Sequence, residues 1–146
     1  MKKISSRFSI AVHILSLIAV SKTHCTSEWI AESVKTNPVI IRRIIAKLKK
    51  AGLVNVRAGV GGAYLQKDLE GITLLDVYRA VEVVEEDELF KFHDHVNPEC
   101  PVGANIESVF RLVLLQAQSA MEQVLAQVTL EQLVTELSEK ISSSKS

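Results

Sequence analysis

A chain of 146 residues with 47% hydrophobic content can bury one substantial core, and its 23% charged residues are too few to make it a disordered polyelectrolyte. The formal net charge of zero hides a division: residues 1–67 hold 12 of the 17 Lys and Arg and only two acids, Glu28 and Glu32, whereas residues 68–146 hold five basic and 15 acidic residues. A half with a balance of +10 facing one of −10 points to a polyanion docking on the first, nucleic acid being the commonest such partner, or else to a merely solvated basic face.

The longest apolar stretch, around Ile10 to Val20, is interrupted by His13 and Ser16 and is too short to cross a bilayer. No small-residue cleavage site follows it, so no secretory signal is expected. The two cysteines, Cys25 and Cys100, form neither a disulfide framework nor a metal-knuckle spacing, which suits a cytoplasmic protein.

Phe8, Ala11, Val12, Leu15, Ile18 and Ala19 recur at three- and four-residue steps, and Ile10, Ile14 and Leu17 add a second apolar stripe to the same helix. A helix apolar on two sides must be sandwiched. Thr26 or Ser27 can cap a short second helix through Trp29, Ile30 and Val34, followed by a turn at Lys35 and Thr36. Asn37 then Pro38 is a strong start signal, because Asn caps and Pro at the first helical position gives up an amide proton that had no partner. The third helix is predicted from Pro38 to about Lys50, with Gly52 taking the left-handed cap.

Leu53 to Arg57 reads as a strand, Ala58 to Ala63 as a glycine-rich turn and Tyr64 to Gln66 as the returning strand. Thr73 caps a helix carrying Leu74, Val77, Tyr78 and Val81, with Asp76 favouring its amino-terminal dipole, and the acidic run Glu85 to Glu88 closes it. Leu89 to Ala104, with two prolines, His93, His95 and Cys100, reads as an irregular loop. From Asn105 to Gln127 a stripe of Ile106, Phe110, Val113, Ala117, Ala120 and Val124 marks a long helix. At ~1.5 Å per residue it spans roughly 35 Å, too long for so small a domain to cover, so a second copy of the chain is its expected partner. Thr129 with Gln132 suggests a capping box opening a last helix through Leu130, Leu133, Val134 and Leu137, and the ending ISSSKS is expected to fray.

The expected fold class is mainly α: a winged helix-turn-helix domain with a small β-hairpin wing, plus a long dimerisation helix. The expected organisation is a DNA-binding domain over residues 1–84, an effector or sensor-type loop over 85–104, dimerisation helices over 105–141 and a disordered tail over 142–146.

The third helix carries the functional pattern. A turn of about 100° per residue puts Ile41, Ile44, Ile45 and Leu48 on one side and Val39, Arg42, Arg43, Ala46 and Lys50 on the other. Arg42 and Arg43 bear the forked donors that suit guanine edges or phosphates, small Ala46 lets the helix approach the groove floor, and Val39 can touch a thymine methyl. Together with Asn37 and Pro38 at the helix start they form the candidate base-reading set, while Lys47, Lys49, Lys50 and Arg57 are the candidate phosphate contacts. The tip of the hairpin, RAGVGGAY, offers Gly59, Gly61, Gly62 and Tyr64 beside Arg57, and a narrow arginine-bearing finger suits the minor groove. It lacks the strand–loop–long-helix setting and the Lys-Ser/Thr ending of a P-loop, so it is not read as a nucleotide site. Nothing in the sequence pairs carboxylates in an apolar setting or sets a nucleophile beside a base, and no enzyme is expected.

The run IIRRIIAKLKKAGLVNVRAGVGGAYL, followed by ITLLDVYRAVE, resembles the Rrf-two family of bacterial winged-helix transcription regulators, closely over about Ile4 to Val84. The resemblance implies a homodimer, joined through the long helix, that binds a palindromic operator in double-stranded DNA with two recognition helices and two wings, most simply as a repressor. Members of the family commonly carry arginine immediately before the first wing glycine; here Ala58 stands there and Arg57 one position earlier. Several members hold an iron-sulfur cluster through three cysteines before the dimer helix, where this chain has Cys100 alone, with His93 and His95 nearby, and no cluster or other metal is expected. Two other roles stay open: Cys100 as a thiol-based redox sensor, and the acidic half as a dock for a regulatory protein partner.

Overall fold

The computed structural model describes residues 6–21, 25–58, 62–82, 93 and 96–144. Among the described residues six helices and one hairpin follow one another: α1 (Ser6–Ser21), α2 (Ser27–Val34), α3 (Pro38–Lys50), β1 (Val54–Arg57), β2 (Gly62–Leu65), α4 (Leu74–Val81), α5 (Pro101–Gln127) and α6 (Leu130–Ser144), with a 3-10 turn at Leu69–Gly71. The fold is therefore mainly helical with a small wing, as the pattern of the chain implies. No helix among the described residues is long and apolar enough to cross a membrane.

The two apolar stripes of α1 put it at the centre. Ala11, Ile14, Leu15, Ile18 and Ala19 are all buried, and the one buried hydroxyl, on Ser16, donates to the Val12 carbonyl at 2.8 Å, so no polar group is stranded there. Phe8 meets Tyr78 of α4 edge to face, with ring centroids 5.4 Å apart.

Local capping sets the next boundaries. The Thr26 hydroxyl accepts from the Trp29 amide at 3.2 Å to open α2, and Lys35 closes it in the left-handed region at φ 63°. Asn37 Oδ1 accepts from the Val39 amide at 2.8 Å with Pro38 at the first turn, so α3 starts where the Asn-Pro pair dictates. At its end Gly52, at φ 80°, and Leu53 send their amides to the carbonyls of Lys49 and Leu48, both at 3.0 Å. This double closure satisfies two orphan carbonyls and turns the chain into the hairpin. It also explains why β1 begins at Val54 rather than at Leu53: the Leu53 amide is already committed to the helix.

β1 and β2 pair antiparallel with Val54 opposite Leu65 and Arg57 opposite Gly62. The returning strand starts at Gly62, two residues earlier than Tyr64, because Gly62 also bridges in parallel to Cys25 and the Ala63 amide donates to the Cys25 carbonyl at 3.0 Å. The wing is thus fastened at Gly62 and Ala63 to Cys25, between α1 and α2.

Thr73 and Asp76 cap α4 reciprocally, at 3.1 and 2.9 Å. The long helix starts at Pro101, four residues before Asn105. Pro101 occupies the first helical turn, where its missing amide costs nothing, so a residue that reads as a loop marker is here a helix start. None of the 27 residues of α5 is buried, and Ile106, Val109, Phe110, Val113 and Val124 lie exposed along it. At the far end the chain reverses: the Leu74 amide donates to the Val128 carbonyl at 2.9 Å and the Leu130 amide to the Ile72 carbonyl at 2.7 Å. Thr129 and Gln132 form the expected reciprocal cap, and α6 returns Leu130, wholly buried, and Val134 to the same core as α1 and α3. Helix α6 continues to Ser144, beyond the point where fraying was expected, since nothing in its polar ending breaks a helix.

Candidate nucleic-acid interface

Helix α3 shows two faces. Ile41, Ile44, Ile45 and Leu48 are each at most 6% exposed and belong to the core, at about 1.5–3 kcal/mol of burial apiece. That anchoring leaves Val39, Arg42, Arg43, Ala46, Lys49 and Lys50 exposed on the opposite side, with Asn37 exposed and Pro38 and Lys47 partly covered. The outward set carries four cations and, within α3, no acid.

The two arginines differ in their surroundings. Arg42 Nη2 donates to Glu28 Oε1 at 2.8 Å, an exposed ion pair between α3 and the first turn of α2. Its own backbone amide and then Arg42 hold the Glu28 carboxyl below the ordinary carboxylate range. Among the described residues no acid pairs with Arg43. Glu28 was absent from the sequence-derived site, and its only signal there is that it is one of two acids among twelve cations; the contact spans 14 positions and two helices.

On the wing, the Arg57 guanidinium carbon lies 4.9 Å from the centre of the Tyr64 ring, a cation–π contact that steadies the arginine on the hairpin. Gly62 takes φ 71°, and a Cβ built on it would lie 2.6–2.8 Å from the Cys25 backbone, so only glycine lets the strand approach that closely. Gly59, Gly61 and His95 lie outside the described residues, and His93 is exposed.

Cys25 is buried under the wing, and Cys100 is exposed at the cap of α5. The amides of Gly103 and then Val102, at the start of that helix, favour the thiolate and hold the Cys100 thiol below its ordinary range. The acidic half shows its sign elsewhere: an open groove of about 640 Å³ along α6 is lined by Glu70, Glu131, Glu136 and Glu139 with Thr129, Gln132 and Thr135, a lining that repels phosphate.

A family model described as "Rrf2: Iron-dependent Transcriptional regulator" matches residues 4–136. The chain is 47% identical over 134 residues to a Bacillus subtilis (strain 168) protein named "Putative HTH-type transcriptional regulator YwnA", covering 92% of this chain and 98% of that one. It is also similar to a crystal structure described as that of "a putative DNA binding protein", at 44% identity and a TM-score of 0.72, covering 88% of this chain and 98% of that one. The Bacillus subtilis global cysteine regulator CymR shares the fold, at 22% identity and a TM-score of 0.67 over 92% of this chain and 98% of that one.

The family description names iron, and the donors here do not fit an iron-sulfur cluster. The chain has two cysteines, one buried beneath the wing and one exposed at the start of α5, and among the described residues no three His, Cys, Asp or Glu side chains converge.

Two outcomes follow from this geometry. Gly52→Ala forces a left-handed alanine into open space and should cost about 1 kcal/mol, whereas Gly62→Ala adds a backbone collision and should cost at least about 1 kcal/mol more; urea unfolding of the two variants measures the difference, and equal losses would contradict the wing anchor. Iodoacetamide should modify Cys100 and spare Cys25 in the folded protein, with a rate that climbs through a midpoint lower than that of an unperturbed cysteine thiol as pH rises; mass spectrometry of quenched samples across pH, with a short unstructured cysteine peptide as reference, reads both sites.

Proposed function

Because the chain belongs to the Rrf2 family of transcriptional regulators, we propose that it acts in the cytoplasm as a sequence-specific repressor, a homodimer on a palindromic operator, with no catalytic activity and no bound cluster. The observation that carries this reading is α3: four apolar side chains lock it into the core while its cationic side stays exposed. In this reading Val39, Arg42, Arg43 and Ala46, with the helix start at Asn37 and Pro38, face base edges in the major groove. Lys47, Lys49 and Lys50 neutralise phosphates, and Arg57 enters the adjacent minor groove on the wing formed by Gly59, Gly61, Gly62 and Tyr64. The exposed apolar side chains of α5, Ile106, Val109 and Val113 among them, support pairing of two copies. A twofold pair presents two recognition helices, and repression then needs only occlusion of the promoter.

Titration of the protein onto duplex from its own promoter region tests the reading. Affinity should fall steeply with salt, and transcription from that template should drop as the protein binds. Arg43→Ala should cost about 1–3 kcal/mol and relax specificity at one position, whereas Lys50→Ala should weaken all sequences alike and lower the salt slope by about 1. Binding that ignores salt, or an Arg43→Ala variant that keeps full selectivity, would refute it.

A further inference from the structure

The ion pair between Glu28 and Arg42 is out of place on grounds of both stability and charge. Both side chains are more than half exposed, at 67% and 55%, and a pair in that setting adds little to the folded state. A carboxylate is also costly on a surface meant for phosphates, and residues 1–67 contain only two. Glu28 nevertheless sits in the first turn of α2 and reaches across to the outward face of α3.

We propose that Glu28 is a positioning residue for base reading: it grips the Arg42 guanidinium so that the donors it leaves free meet one base pair in each half-site. The inference rests on the DNA-binding reading above and adds to it the origin of selectivity at one position. The contact takes one of the two Nη2 hydrogens, so the guanidinium keeps the other beside an N–H of Nε or Nη1 and can still present two parallel N–H groups, the geometry that matches the O6 and N7 acceptors of guanine. A free arginine on a helix surface would have to give up its rotamer freedom on binding; one already tethered loses less. The same carboxylate offsets the cation's attraction for any phosphate, so non-specific binding falls while the matched base pair gains. Thr26, which caps α2 through its own hydroxyl, does not depend on Glu28, so the helix start survives its replacement.

The test begins with selection of bound duplexes from a random pool by the full-length protein. Affinities for the selected operator and for a scrambled duplex are then compared for wild type, Glu28→Ala, Glu28→Gln, Arg42→Ala and the double variant Glu28→Ala/Arg42→Ala. Glu28→Ala should lower the ratio of operator to scrambled affinity roughly ten-fold, with lost preference confined to one base pair per half-site and scrambled binding as tight as before or tighter. Glu28→Gln, which retains an oxygen acceptor without the charge, should fall between. In the Arg42→Ala background the loss of Glu28 should leave the ratio of operator to scrambled affinity unchanged. If both affinities rise together in Glu28→Ala with the ratio intact, Glu28 is a simple competitor for Arg42 and the proposal fails. Uniform weakening at every position overturns it as well. A wild type that selects no sequence refutes the regulator reading itself, a failure separate from that of a selective wild type whose Glu28→Ala variant is equally selective.

Discussion

The cationic surface of the molecule depends on how α3 is nailed down. Ile41, Ile44, Ile45 and Leu48 occupy one side of thirteen residues and are buried against the core, which leaves the chain no freedom over which residues turn outward. The cationic side is the geometric remainder of that packing, fixed by the 3.6-residue period. Slip the helix by one residue and one of the two arginines, with a lysine, would have to enter the core, where an unpaired guanidinium costs far more than the isoleucines gain. The Asn37 cap and the Gly52 closure hold both ends of α3, so the position of its first turn is set by bonds of 2.8 to 3.0 Å rather than by packing alone.

The wing is built on a different principle. Its two short strands could not hold themselves in water, and a two-stranded hairpin of this size needs support from elsewhere. That support is backbone: Cys25 runs against Gly62 and accepts from the Ala63 amide, which joins the hairpin to the segment before α2. Helix α3 and the wing are therefore both referred to α1 and α2. Helix α6 completes the frame by returning Leu130 and Val134 to the same core, so the long helix α5 leaves the domain and comes back to it while its own apolar side stays uncovered.

Whatever depended on neighbours in the chain was legible from the residues. The caps at Thr26, Asn37 and Thr73, the two faces of α3 and the capping box at Thr129 all use partners within four positions, and each is found as the local chemistry dictates. What escaped is carried by contacts between distant segments. The bond from Arg42 to Glu28 joins positions 14 apart, and the approach of Gly62 to Cys25 joins positions further apart still. No periodicity announces either. Pro101 was misleading for another reason: the same residue ends a helix from inside and begins one from the first turn, and the Ala104 amide donating to the Cys100 carbonyl at 2.9 Å shows which applies. The division of charge pointed to the half of the chain that carries α3, but it could not reveal that an acid would stand among the outward cations.

The central claim is that α3 enters the major groove twice, once from each of two paired copies. Protection of guanine N7 from methylation, mapped on both strands of a bound promoter fragment, reads that directly. The account predicts two symmetric protected patches about 34 Å apart, one helical turn, each sensitive to the arginines of α3. A single patch, or guanines left fully reactive while only minor-groove positions are shielded, would contradict it.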